Sequence, residues 1–205
     1  MHPNPVFHTE SDTANLAYAR ARGFGTLTVC GGDGPLLSHV PFVLDETGVT
    51  AALHLLRSNP IARALRGTDL PCKIAVTGPH SYVSPDWYGI DDQVPTWNYV
   101  AVHLTGTLSL RPQEELRALL DRQSAQFEER LAPKTPWTAD KMTGDTLERM
   151  MRSIVPCRVT VTGVDGTWKL NQNKPDEVRL RAADAVEAHG IGTDLAALAI
   201  LMREA

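Results

Sequence analysis

Leu27 and Val29 alternate with Thr26 and Thr28 in GTLTVC, residues 25–30, and a period of two marks a half-buried strand. GGDG at 31–34 is a turn signal and predicts a hairpin into LLSHVPFVLD. A second turn, DETG, leads into VTAALHLL. Three strands so closely spaced belong to an antiparallel meander or barrel. Ahead of them lies an extended MHPNPVF, then SDTANLAYARAR, a helix with Ser11 or Asp12 as its cap and Gly23 as its end. SNPIARALRG predicts a short helix capped by Ser58 or Asn59, with Pro60 in the first turn.

CKIAVTG at 72–78 reads as a strand, GPHSYVSPDWYGIDDQVP as an irregular aromatic-rich loop, and NYVAVHLTGTLSL at 98–110 as a long strand. Leu116, Leu119, Leu120 and Phe127 then fall near one face of a helix that starts around Pro112, Glu114 and Glu115. A loop over 133–144 separates it from a helix around DTLERMMRSIV. CRVTVTGVDGTWKLNQNK predicts a last hairpin turning at VDG, and 176–204 reads as helical. The order of elements predicts an α+β domain with a β-barrel core over 1–175, inserted helices, and a helical tail over 176–205 packed on the same domain. No GxGxxG follows a strand and no P-loop is present, which opposes a dinucleotide-binding parallel sheet.

Charge narrows the partners. A net charge of −4 and a pI near 6.0, with no Lys/Arg cluster, oppose strong direct DNA contact. Cys30, Cys72 and Cys157 are far apart and odd in number, as free thiols in a reducing cytoplasm are. The N-terminus has neither a basic nor an apolar leader region, and no apolar run approaches the ~20 residues of a membrane span. These features predict a soluble cytoplasmic protein without a membrane partner.

Three segments carry candidate chemistry. In LHLLRSNP, residues 53–60, Arg57, Ser58 and Asn59 sit where a strand gives way to a helix. Backbone N–H groups and a guanidinium there suit a phosphate, although a plain helix cap uses the same residues. Tyr82, Trp87, Tyr88, Trp97 and Tyr99 are interleaved with Ser81, Ser84, Thr96 and Asn98. Rings beside amides and hydroxyls suit a flat heteroaromatic ligand, and equally an aromatic core under a loop. In TWKLNQNK, residues 167–174, Lys169, Gln172, Asn173 and Lys174 can reach phosphate or hydroxyl groups, or form a solvated loop. His39, His54, His80 and His103 lack metal-ligand spacing. No GxSxG or Cys/His arrangement marks a nucleophile, so catalytic residues are unassigned.

HVPF at 39–42, the H-x-x-R-x-N-P core of LHLLRSNP, YVSPDWY at 82–88, VPTWNYVAVH at 94–103 and KLNQNK at 169–174 occur in this order. Together they resemble the PaiB-like family of FMN-binding split-barrel proteins, the FMN-binding negative transcriptional regulators. The resemblance implies a mostly antiparallel, six-stranded split β-barrel with flanking helices, and a homodimer that binds FMN at its interface. It also implies that Arg57, Ser58 and Asn59 face the phosphate, that Thr96, Trp97 and Asn98 line the flavin, and that Lys169 and Gln172 approach from the C-terminal hairpin. Leu53, Leu56 and Asp86 depart from the family pattern. A carboxylate ~5 Å from the phosphate would oppose it by roughly 3 kcal/mol at an effective dielectric of 20. A flavin-dependent oxidoreductase using FMN and a nicotinamide reductant, and a flavin-free dimeric binding module, are the alternatives to the regulator.

Overall fold

The alternating segments form strands, as their period requires. The computed structural model describes residues 2–205. In chain order it contains α1 (Asp12–Arg22), β1 (Phe24–Gly31), β2 (Gly34–Pro41), β3 (Val43–Leu44), β4 (Thr50–Leu56) and α2 (Pro60–Ala64). Then come β5 (Leu70–Val83), β6 (Thr96–Leu110), α3 (Leu116–Glu128), α4 (Gly144–Met151), β7 (Ile154–Lys169), α5 (Asp176–His189), β8 (Gly192–Thr193) and α6 (Leu195–Glu204). The strands form one sheet in the order β2-β1-β5-β6-β7-β4-β3, with β8 paired to β5. The registered pairs are antiparallel. The α+β expectation with a helical C-terminus is met, but the sheet has eight strands where six were expected.

Three local expectations need correction. Residues 79–83 extend β5 instead of opening a loop, because Ser81 and His80 pair with Gly192 and Thr193 of β8, a partner far away in the chain. The VDG at 164–166 is not a turn: β7 runs through it unbroken. Gly166 is there for space, since a Cβ at that position would lie 2.0 Å from Asn15 Oδ1. Of the segment expected to be extended at the N-terminus, Met1 lies outside the described residues and Pro5–Phe7 form a 3-10 turn capped by the Asn4 side chain.

The chain divides into two compact units, with β5, β6 and β7 contributing residues to both. One unit comprises Leu16–Val76 and His103–Val164. Its core contains the fully buried Leu27, Phe42, Leu53, Ile74, Leu104 and Leu116, each stabilising the fold by roughly 1.5–3 kcal/mol relative to exposure. Gly106 of β6 passes very close to β7, where a Cβ would meet the Thr160 carbonyl oxygen at 2.1 Å. Cys72 and Cys157 are buried and Cys30 is exposed; burial pushes the two inner thiols up to about 11 and about 12.

His54 of β4 lies in the same unit. Burial pushes its pKa down, more than the neighbouring Gln123 side chain of α3 raises it. A histidine whose folded pKa lies below its unfolded value stabilises the fold above that unfolded value, and the contribution is lost as pH falls. The urea midpoint is therefore expected to fall as pH drops below 6.5, and His54→Leu is expected to flatten that part of the profile. An identical profile in both proteins would disprove the assignment.

The other unit comprises Met1–Asn15, Thr77–Val102 and Asp165–Ala205. Here α5 and α6 form a hairpin whose seam buries Val178, Ala182, Val186, Leu198, Ala199 and Met202. The small alanines let the helices approach closely. Arg179, itself buried, donates to the carbonyls of Met202 at 2.5 Å and Arg203 at 2.9 Å, satisfying the open end of α6. Arg181 of α5 donates to the Tyr88 carbonyl at 2.7 Å, tying the Pro85–Tyr88 turn to the hairpin.

Candidate functional site

In the unit holding the start of β6, Thr96, Trp97 and Asn98 have three different environments. Trp97 points outward and is 46 % exposed, a large exposure for an indole. His80 and Tyr82 flank it, with ring centroids at 6.0 and 6.2 Å. Asn98, one position along the strand, is 0 % exposed. Among the described residues neither its Oδ1 nor its Nδ2 has a hydrogen-bond partner. The Thr96 hydroxyl accepts a hydrogen bond from Lys169 Nζ at the end of β7.

Lys169 ends β7 and Gln172 belongs to the turn that follows it. Burial lowers the pKa of Lys169, and its ammonium stands 5.7 Å from the centroid of the Phe7 ring. Gln172 is committed within the chain. Its Oε1 accepts from the Leu170 N–H at 2.8 Å, and its Nε2 donates to the carbonyls of Trp168 at 2.6 Å and Val6 at 3.2 Å. Gln172 thus fixes the shape of the turn that presents Lys169.

Lys169, Thr96, Phe7, Tyr88, Asn171 and Lys174 line one cavity of about 250 Å³. Lys174 donates to Gln93 Oε1 and stands 4.9 Å from the Tyr88 ring centroid. Asn171 is 2 % exposed and holds a left-handed backbone at φ 66°, a conformation asparagine tolerates. Its Oδ1 accepts from the Tyr88 hydroxyl at 3.3 Å. Tyr88, one of the rings expected to meet a flat ligand, lines this cavity, and Asn171 and Phe7 join it without having been candidates in the sequence. The polar run KLNQNK was the available signal.

Arg57, Ser58 and Asn59 lie in the other unit. Asn59 caps α2 by accepting from the Ile61 N–H at 2.9 Å, and its Nδ2 donates to Ser38 Oγ at 3.1 Å. Arg57 is exposed and tethered, with Nε donating to the Arg152 carbonyl at 2.6 Å and one Nη donating to Gln113 Oε1 at 2.6 Å. Ser58 is exposed. Leu53 faces the core and is 0 % exposed, so it does not stand on the surface beside Arg57. Leu56 is exposed, and Asp86 is an exposed residue of the Pro85–Tyr88 turn.

Residues 1–163 match the family described as "Putative FMN-binding domain"; the KLNQNK turn lies beyond that match. The chain is 29% identical over 161 residues to the "Protease synthase and sporulation protein PAI 2" of Bacillus subtilis, covering 77% of this chain and 75% of that protein. In three dimensions it is similar to the FAD and Heme binding protein of Mycobacterium smegmatis, with a TM-score of 0.59 at 16% identity, covering 91% of this chain and 82% of that one. It is also similar to the flavocytochrome Anf3 of Azotobacter vinelandii, with a TM-score of 0.51 at 11% identity, covering 81% and 74%. The fold is the flavin-binding split barrel, in an eight-stranded version. The chain belongs to the FMN-binding family whose model spans most of its length, and its cofactor is FMN.

Proposed function

We propose that the protein is a PaiB-like regulator that holds FMN at a homodimer interface and acts without direct DNA contact. The single observation that carries this reading is the exposed Trp97 between His80 and Tyr82. An exposed indole beside two further rings is an apolar surface suited to covering by a flat ligand, a second copy, or both. The regulatory part rests on likeness to the Bacillus relative, whose name connects it with protease synthesis and sporulation.

The residues present fit the cofactor. Flavin rings offer carbonyl oxygens and ring nitrogens, and the Asn98 amide is a buried donor and acceptor pair without partners among the described residues. Thr96 and Asn98, which share a face of β6, would meet the polar edge of the ring, and Trp97 on the opposite face would be covered at the interface. Lys169 would add a cation, and Gln172 would act by fixing the turn that carries it. Within their own unit, Arg57 and Ser58 are the candidates for a phosphate contact, with Asn59 fixing the helix start beside them. When bound, FMN supplies electron-transfer chemistry that no side chain here possesses. The chain's own part is to bind, orient and shield.

Visible absorption titration with FMN, beside riboflavin as a phosphate-free control, tests this reading. Saturable FMN binding is expected, weakened by about 30-fold in Trp97→Ala, which corresponds to about 2 kcal/mol of lost ring packing. Equal affinity for riboflavin would remove the phosphate role from Arg57–Asn59. Absence of binding to the unaltered protein would reject the whole reading. FMN held by a species that sediments as a monomer would reject the interface. Bleaching of bound FMN by NADPH would transfer the protein to the oxidoreductase alternative.

A further inference from the structure

The cavity beside β7 has a chemistry of its own. Its volume of about 250 Å³ falls below the ~300–1,000 Å³ usual for sites that enclose drug-sized ligands, so it suits a small molecule and not a whole flavin nucleotide. Two ammonium groups, Lys169 and Lys174, enter it, and no aspartate or glutamate is among its lining residues. In a chain of net charge −4, this is a local concentration of uncompensated positive charge.

Hydrogen-bonding capacity points the same way. Each ammonium carries three N–H donors, and one is used by Thr96 or Gln93 respectively. The Phe7 and Tyr88 rings hold the ammonium groups over their faces without neutralising them. The Asn171 amide is built into the wall with its oxygen engaged by Tyr88, while its Nδ2 is buried with no acceptor among the described residues. A buried donor left unpaired costs about 1–3 kcal/mol, and an acceptor oxygen brought in by a ligand removes that cost. Asn4, whose Oδ1 accepts from the Val6 N–H, lines the same cavity. The wall is rich in donors and has no anion of its own.

We propose that this cavity is a binding site for a small dianion, of dicarboxylate or phosphomonoester type, seated between Lys169 and Lys174 with an oxygen directed to the Asn171 amide. The site shares Thr96 and Lys169 with the flavin reading but does not depend on it, because Lys174, Asn171 and Phe7 belong to the cavity alone.

Isothermal titration of the full chain with sodium succinate and with inorganic phosphate, at fixed ionic strength, tests the proposal, with acetate as the monoanion control. Saturable binding of at least one dianion is expected, with acetate at least about tenfold weaker. Lys174→Ala is expected to weaken dianion binding by about tenfold or more, and Lys174→Arg to keep it within about threefold, since the charge is retained. Lys73→Ala, an exposed lysine of the other unit bonded to Thr105, is expected to change nothing. Succinate and phosphate arms separate the carboxylate from the phosphate source. No saturable heat with either dianion would overturn the proposal, as would equal losses in Lys174→Ala and Lys73→Ala. Displacement of the dianion by FMN would also overturn it, by showing that the cavity is part of the flavin's own seat. FMN binding is read separately in the visible spectrum. Dianion binding without FMN binding supports this site while rejecting the flavin reading.

Discussion

Gly106→Ala is expected to cost about 3 kcal/mol of stability. The new Cβ would lie 2.1 Å from the Thr160 carbonyl oxygen and 2.9 Å from both the carbonyl carbon and Val159 Cγ1. The nearest obstacle is backbone on the neighbouring strand, which cannot swing aside as a side-chain tip can. β6 and β7 would have to part locally, giving up ladder hydrogen bonds and core packing. Gly144→Ala is the matched control, because a Cβ there meets nothing within 4 Å at the start of α4. Urea unfolding of the two variants gives the comparison. A shared midpoint would show that the two strands can separate freely at Gly106.

Asn98→Val is expected to stabilise the flavin-free protein by about 2 kcal/mol and to weaken FMN binding at the same time. The amide is fully buried, with both polar atoms unpartnered among the described residues. Each such atom costs about 1–3 kcal/mol, whereas an apolar side chain there carries no such penalty. Valine also suits the extended backbone of β6. A residue that weakens the empty fold and strengthens the loaded one is the pattern of a functional position. Thr167→Val supplies the contrast: its buried hydroxyl is also unpartnered among the described residues, and replacing it is expected to raise stability without moving FMN affinity. Thermal melts and FMN titrations on both variants decide the matter. A destabilised Asn98→Val protein would mean that the amide supports the empty fold.

Period-two alternation made β1, β4 and β6 legible, because each buries alternate residues on one face. The errors came where glycine and proline serve packing. Gly78 and Pro79 are buried inside β5, and Gly166 makes room for Asn15. Neither residue type announces from sequence whether it turns a chain or lets two segments touch. β8 was illegible for another reason: two exposed residues become a strand only because His80 and Ser81 stand opposite them.

Legibility of the site divides in the same way. Trp97 stood out through its local enrichment in rings, and the structure leaves it exposed. The amides did not sort themselves. Asn59 caps a helix, Gln172 closes a turn, Asn98 is buried without partners among the described residues, and Asn171 forms part of a cavity wall. One functional group takes four different tasks, and only tertiary surroundings tell them apart.

The unequal burial of the three thiols gives the protein a built-in address for chemical labelling. Alkylating reagents act on the thiolate, and with Cys72 and Cys157 pushed up to about 11 and about 12, neutral solution leaves those two protonated as well as enclosed. Cys30, exposed near the turn between β1 and β2, is the position a maleimide dye reaches in the folded chain. Attached there, a fluorophore reports on its own unit, and the later appearance of two more reactive thiols becomes a clock for the opening of that unit's interior.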